Sequence, residues 1–427
     1  MTSAAPLTLD QINLFDPTPF EMGEAHAIFK YLRNNKPVFW NDGPENLVGT
    51  WNLTKFEDVV AVSRLPETFI SSTGITQMKL AVPESDGLFG DTSGNGKMLI
   101  TMDPPRHVRL RRLVNKGFTP RAVAAMEAHI REITTEILDG IAGRRSCDFV
   151  LEVSSQLPLA VICGMMGLEK KDWPLMFQLT NKVLGAGDPE YQTDVPEDQR
   201  GSREAANMTG AMGFMQMFAF FGQQLQKRRV DPEGDLISLL CGSEVDGEAL
   251  NDEEILWFCF LLILAGNETT RNAISGGLIT LCEHPDQRQK LQSDMSLLPS
   301  AVEEILRWVS PVTHMARECT RDTEIRGQLI RAGERVTMWY PSVNRDEDIF
   351  PNADTFDITR TPNDHLAFGI GEHFCLGAGF ARLELKVMFE ELFRRFPDID
   401  MDGPAERLRS TFIGGIKHLP VRYTPAG

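Results

Sequence analysis

Apolar residues return every third or fourth position through the middle of the chain, from Pro104 to about Val309. The pattern breaks near 117–120, at Gly143 and Gly167, across 185–196 and at 231–234. This period predicts a succession of amphipathic helices joined at Gly- and Pro-marked breaks. Ahead of it the pattern is mixed. Helical spacing over 24–33 and 55–64 flanks two β-type runs, 37–40 and 48–53, with Asp42 and Gly43 in the turn. Residues 73–97 are rich in Gly, Ser and Asp and predict a long loop; such loops in compact enzymes are often functional lids. Beyond Pro311, short strands are expected at 323–326, 328–330 and 335–340. A proline-punctuated loop over 348–362, a long helix over 376–395 and short strands around 415–423 follow. The expected class is mainly α with smaller β-sheet regions. No internal repeat is visible.

Two helical stretches are not simply amphipathic. Residues 255–266 read ILWFCFLLILAG, about 12 apolar positions against the roughly 18 that span a bilayer. Asn267 and Glu268 end the run, so a buried core helix is expected and no membrane anchor. Residues 201–229 carry Met208, Met212, Met215, Met217, Phe218 and Phe221. That stripe reads either as ordinary core or as an adaptable roof over an apolar pocket, because Met and Phe re-pack readily.

Composition narrows the function classes. The 427 residues are 42% hydrophobic, enough for a large core. A net charge of −17 argues against a general nucleic-acid binder and suits a cytoplasmic protein. The start, MTSAAPLTLDQINLF, lacks a basic segment followed by an apolar one, so no signal peptide is expected. Seven cysteines at irregular spacing, without a C-x-x-C pair, read as reduced thiols, most of them core residues.

Cys375 stands apart. It lies in FGIGEHFCLG, with Phe368, Gly369, Gly371, His373 and Gly377 around it. A thiolate that ligates haem iron has to lie close under the porphyrin. Glycines allow the tight turn and the close backbone approach. Nearby backbone N–H groups can bond the sulfur and tune its potential. Phe368 can shield it from water, and His373 can donate to a haem propionate.

With this motif the chain resembles the cytochrome P-450 family, the haem-thiolate monooxygenases, and the resemblance extends over nearly the whole length. It implies one haem domain over residues 1–427, the mainly α cytochrome P-450 fold around a buried haem b (iron protoporphyrin IX), and Cys375 as the iron ligand. It implies hydroxylation of an unactivated C–H bond with dioxygen and two electrons. The electrons would come from a separate ferredoxin and its NAD(P)H-dependent ferredoxin reductase.

The other motifs take their meaning from that resemblance. Ala265–Thr270 reads AGNETT, similar to the family's A-G-x-[DE]-T-T in the long central helix. Gly266 weakens the helix locally, and a following threonine hydroxyl can stand in for a backbone partner. Thr269 is the candidate that hydrogen-bonds the distal oxygen, and Glu268 the candidate proton relay. Glu304 and Arg307 are three apart and share a helix face. Spacing alone would make them a surface ion pair of little worth. In the family such an E-x-x-R pair points inward and holds the haem-binding loop, with Arg360 of FDITR or a neighbour completing it. His107 and Arg111, four apart on one helix face, could reach a haem propionate. The resemblance places a further propionate-binding arginine at Arg317.

Arg109, Arg112 and Lys116 on the outer side of that helix, joined by Arg382 and Lys386, would make a basic patch for an acidic donor. The expected substrate pocket is Met98, Leu99, Ile100, Leu184, Leu262, Ala265, Gly266, Val312, His314, Met315, Phe412 and Ile413. It is mostly apolar, so an apolar small-molecule ligand is expected. AGNETTRN, HMAR and ERLRSTFIGGIKHLPV are similar to bacterial members that oxidise steroid side chains, methyl-branched lipids and terpenes. A peroxide-driven haem enzyme and a non-catalytic haem sensor are the alternatives. The former would not need the Glu268–Thr269 pair.

Overall fold

The computed structural model describes residues 7–79, 94–245 and 247–424, so most of the expected 73–97 loop lies outside the described residues. The 32-residue helix Asp252–Glu283 runs through the centre. It is apolar on nearly every side, and a helix of that kind has to be covered all round. Helices Gln156–Met165, Trp173–Leu184, Arg203–Val230, Leu298–Val309 and Ala378–Arg395 supply the cover. A capping box fixes its start: Glu254 N donates to the Asn251 side chain, and Asn251 N donates to the Glu254 carboxylate. Among the described residues no helix is long and apolar enough to cross a membrane.

Close approach explains two glycines in this helix. A Cβ on Gly276 would sit 2.7 Å from Val309, and one on Gly277 would sit 2.8 Å from Phe389. Their absence lets helices Leu298–Val309 and Ala378–Arg395 press against the central helix. Phe389 is fully buried there; truncating such a ring costs about 3–5 kcal/mol.

A five-stranded sheet flanks the helices in the order Val38–Asn41, Thr50–Leu53, Arg335–Trp339, His314–Cys319, Phe69–Ile70. All neighbours are antiparallel except Thr50–Leu53 and Arg335–Trp339, which pair in parallel. The strand His314–Cys319 is not among the short strands expected beyond Pro311. Its HMAREC sequence carries Arg317 and Glu318 and shows no clean alternation. Pairing on both edges overrides that weak propensity, and His314, Ala316, Arg317 and Cys319 are all buried. Further pairs, such as Ser146–Asp148 with Pro420–Arg422, are too short for a period to register in the sequence.

The Met/Phe stripe of helix Arg203–Val230 divides. Met217 and Phe221 are core, Phe214 and Phe218 stack among Trp257 and Phe260, and Met208 reaches the central cavity.

Candidate active site

The central helix, the sheet and the loop before Ala378–Arg395 enclose a cavity of about 1390 Å³. That exceeds the roughly 300–1,000 Å³ of ordinary small-molecule pockets, as room for a flat macrocycle and a substrate together requires.

Cys375 lies on its wall, between a short 3₁₀ turn, Gly371–His373, and the start of helix Ala378–Arg395. Cys375 N donates to Phe368 O at 2.9 Å, closing the loop on itself. Gly369 (φ 69°) and Gly371 (φ 78°) adopt the left-handed conformation that side chains disfavour. At Gly371 a Cβ would also meet Ser63 O at 2.4 Å. Burial pushes the Cys375 thiol up. The N–H groups of Gly377 and Ala378 and the charges of Arg111 and Arg382 pull it the other way. These are the groups a bound thiolate needs.

Basic side chains gather at the same end. His107, Arg111, Arg317 and His373 all line the cavity. The two imidazoles lie against each other, tilted, with ring centres 4.2 Å apart, and burial together with the neighbouring arginines holds both neutral, His107 at about 4. His373 Nε2 lies 3.2 Å from Ser71 Oγ. Both nitrogens of His107 are buried without a hydrogen-bond partner. Arg111 bonds Asn115 and Phe374 O, and Arg317 bonds Ala316 O. Neither arginine has a carboxylate partner among the described residues. One buried guanidinium, Arg317, one half-buried guanidinium, Arg111, and an orphaned imidazole facing a cavity form a place for an anion. With the thiol of Cys375, the donor set fits a haem and its propionates.

The central helix forms another part of the wall. Ala265, Gly266 and Thr269 face the cavity. Thr269 Oγ1 donates to Ala265 O at 2.8 Å, the i→i−4 bond expected after Gly266. Gly266 also lets helix Gln156–Met165 come near, since a Cβ would lie 3.1 Å from Ile162. Glu268 is not on this wall. Adjacent residues of an α-helix are about 100° apart, and Glu268 points back into the protein. There it is buried against Arg271, with Asn272 Nδ2 donating to its backbone carbonyl at 2.9 Å. Arg271 in turn donates to Asn181 Oδ1 at 2.9 Å. One Glu268 oxygen remains without a partner.

Glu304 and Arg307 are fully buried. Arg307 donates to both Glu304 oxygens at 2.7 and 2.8 Å, and Arg360 Nε lies 3.1 Å from Glu304 Oε2. Arg307 also donates to Asn344 O and Ala353 O. The pair therefore sits inside the 344–360 segment that leads to the Cys375 loop.

Of the expected pocket residues, Met98, Leu99, Ile100, Leu184, Leu262, Val312, Met315, Phe412 and Ile413 line the cavity with Ala265 and Gly266, and Phe368, Gly369 and Gly377 lie on its Cys375 side. His314 does not line it. It is buried behind the strand, with Nε2 accepting from Gln77 N at 3.1 Å and Nδ1 donating to Thr411 O at 2.9 Å. Its alternating strand position turns the ring away from the cavity and onto Trp339. The expected basic patch is also smaller. Arg382 is paired with Glu303 and Lys386 with Glu127, while Arg112 and Lys116 are exposed, as is part of Phe374.

One cavity residue carried no motif. Glu384 is buried on the inner face of Ala378–Arg395 with one oxygen unpartnered, and burial pushes its carboxyl up to about 8. The apolar residues on either side of it at helical spacing are the only sequence sign of its burial.

Known proteins share this arrangement. A cytochrome P450 family model matches residues 197–406. The chain is 42% identical over 406 residues to a methyl-branched lipid omega-hydroxylase of Mycobacterium tuberculosis, covering 93% of this chain and 90% of that one. It is 36% identical to a steroid C26-monooxygenase of the same organism, over 97% and 98% of the two chains. The solved structure of Mycobacterium marinum cytochrome P450 CYP268A2 in complex with pseudoionone superposes with a TM-score of 0.87 at 33% identity, over 99% and 100% of the two chains. With a thiol and a cationic frame at one end of a large apolar cavity, and relatives this similar over nearly its full length, the chain belongs to the cytochrome P450 family of haem b monooxygenases.

Proposed function

We propose that this chain hydroxylates an unactivated C–H bond of a steroid, a terpenoid or a branched fatty-acyl chain. Dioxygen is the oxidant, and a separate ferredoxin with its NAD(P)H-dependent reductase supplies two electrons. The observation that carries this reading is one mostly apolar cavity lined by both Cys375 and Thr269. The names of the relatives, an omega-hydroxylase of methyl-branched lipids and a steroid C26-monooxygenase, support a long apolar substrate.

When bound, haem would supply the oxygen activation, with electron density donated by the Cys375 thiolate. The chain does the rest. Cys375 would be the residue that holds the iron, and the N–H groups of Gly377 and Ala378 would stabilise its negative charge. Arg111, Arg317, His107 and His373 would hold the propionates. Thr269 keeps a donatable proton at Oγ1 on the cavity face, parked on Ala265 O until a better acceptor arrives. Glu268 serves as the relay only when it releases Arg271 and turns toward Thr269, so the ion pair sets the gate on proton supply. Glu304, Arg307 and Arg360 fix the segment before the Cys375 loop. Leu262, Val312, Met315, Phe412 and Ile413 exclude water and orient the substrate. Exposed Arg112 and Lys116 around Phe374 support docking of an acidic donor on the cysteine side.

Absorption titrations of the haem-loaded protein with sterols, terpenes and branched fatty acids test the substrate reading. Products are then sought with dioxygen, ferredoxin and reductase, and separately with hydrogen peroxide alone. Hydroxylated product only with the electron donors is expected. Product from peroxide alone, or none under either condition, contradicts it.

A further inference from the structure

Charge is unevenly spread along the cavity. Among the described residues its lining has four full cations, Lys79, Arg111, Arg203 and Arg317, against one carboxyl, Glu384. Arg111 and Arg317 stand with His107 and His373 at the Cys375 end, where the haem propionates account for them. Lys79 and Arg203 have no such explanation.

Both lie at the mouth. The lining residues Met78 and Met208 are 52% and 39% exposed, which marks where the cavity meets solvent. Lys79 follows Met78, and Arg203 precedes Met208 by little more than one helical turn. The two cations are also tied to one short stretch of chain. Arg203 Nη1 donates to Glu45 at 2.8 Å, and Val48 N donates to Lys79 O at 2.9 Å. Leu47, between them, lines the cavity as well. Asn207, one turn beyond Arg203, adds a polar amide to the same rim.

Each cation already has an acidic neighbour, Glu45 for Arg203 and Glu318 for Lys79. Neither glutamate lines the cavity: Glu45 is exposed on the surface and Glu318 lies in the strand His314–Cys319, so each pairs with its cation from outside the cavity. Among the described residues only Nη1 of Arg203 is engaged. A guanidinium with further donors free can take a second carboxylate. Between this rim and Thr269 the wall is apolar, through Leu184, Leu261, Leu262, Val312 and Met315.

We propose that Arg203 and Lys79 form a carboxylate subsite at the cavity mouth. The substrate is then a long apolar chain with an anionic head, held by the head so that its far end reaches Thr269 and Cys375. This rests on the reading of the chain as a hydroxylase of apolar substrates, and narrows the substrate to amphipathic acids.

Equilibrium binding to the haem-loaded protein at pH 8 tests it, with hexadecanoic acid and its methyl ester as probes. The pair share the apolar chain and differ in the charge. The acid is expected to bind about tenfold tighter or more, the usual scale for hydrogen bonds to a charged group. Added salt should erode that preference. Arg203→Gln combined with Lys79→Gln should bring the acid-to-ester ratio toward one, with the haem absorption and helicity unchanged. Glu45→Gln should raise the ratio by freeing Arg203. Equal binding of acid and ester by the unaltered protein overturns the proposal, as does a ratio that the double variant leaves in place. Neither probe binding would sink the long-chain substrate reading itself, and this subsite with it.

Discussion

Arg307→Lys has a cost that can be worked out from its neighbours. Arg307 is fully buried and donates to two oxygens of Glu304, to Asn344 O at 2.8 Å, to Ala353 O at 3.0 Å and to Thr355 O at 3.2 Å. A lysine keeps the charge and a bond to Glu304, but its compact ammonium cannot span the same fork. Two of the three carbonyls lose their partner in a place without water. At about 1–3 kcal/mol per stranded group, the loss is about 2–6 kcal/mol. Against a total stability of roughly 5–15 kcal/mol this leaves a protein that still folds and can be measured. Arg307→Leu would also strip Glu304 of its main counter-charge, at about 3–5 kcal/mol more, and is expected to fail to fold.

The damage should reach the haem. Glu304 also accepts from Asp357 N at 2.9 Å, and Asn344 Oδ1 accepts from Leu366 N at 2.7 Å. Leu366 leads directly into Phe368 and the Cys375 loop. Guanidinium denaturation gives the stability change, and haem transfer to an acceptor protein gives the off-rate. A loss of at least 2 kcal/mol with faster haem release is the expected result, on the scale of a stranded pair of carbonyls. A loss below about 1 kcal/mol with an unchanged off-rate would refute the positioning role.

Three further outcomes are expected. Thr269→Ala should lower the yield of product per dioxygen consumed and raise hydrogen peroxide, measured together in one turnover assay; equal coupling contradicts the proton role. Glu384→Gln bears on pH. The folded carboxyl titrates at about 8 against an ordinary 4.5, so the folded chain keeps a proton that the unfolded chain gives up between those values. The wild type therefore loses stability as pH rises from 4.5 toward 8, by up to about 1.4 kcal/mol per unit. The amide does not titrate, so the variant should gain on the wild type across that window in denaturation curves; parallel pH profiles contradict it. Arg112→Glu with Lys116→Glu should slow reduction by an acidic ferredoxin about tenfold or more at low salt, with stopped-flow absorption as the readout. Unchanged reduction kinetics would rule out that docking face.

How much of this the sequence disclosed depended on whether the constraint was local. The Cys375 loop was legible because its turn geometry demands glycine at Gly369 and Gly371, whatever else the fold does. Thr269 was legible for the same reason: a hydroxyl four residues after Ala265 can bond its carbonyl within one helix. Direction was harder to read. Glu268 and Thr269 are neighbours in a motif, yet the helix turns them to different sides, and only packing against Asn181 and Arg271 decides which side holds the cavity. Burial of charge was hidden too. Spacing made Glu304 and Arg307 an ordinary surface pair, and their burial comes from the 344–360 segment wrapping over them. The strand at His314–Cys319 escaped because its pairing partners are Arg335–Trp339 and Phe69–Ile70, neither adjacent in sequence. Arg382 and Lys386 look free in the sequence, and Glu303 and Glu127 claim them only in space.

The account depends above all on sulfur from Cys375 bound to iron. The most direct measurement is the absorption of the purified, haem-loaded protein after reduction and exposure to carbon monoxide. The strongly red-shifted band of a thiolate-ligated centre is the expected result, together with its loss in Cys375→Ser. A wild type without that band, or a Cys375→Ser variant that keeps it, would contradict the assignment.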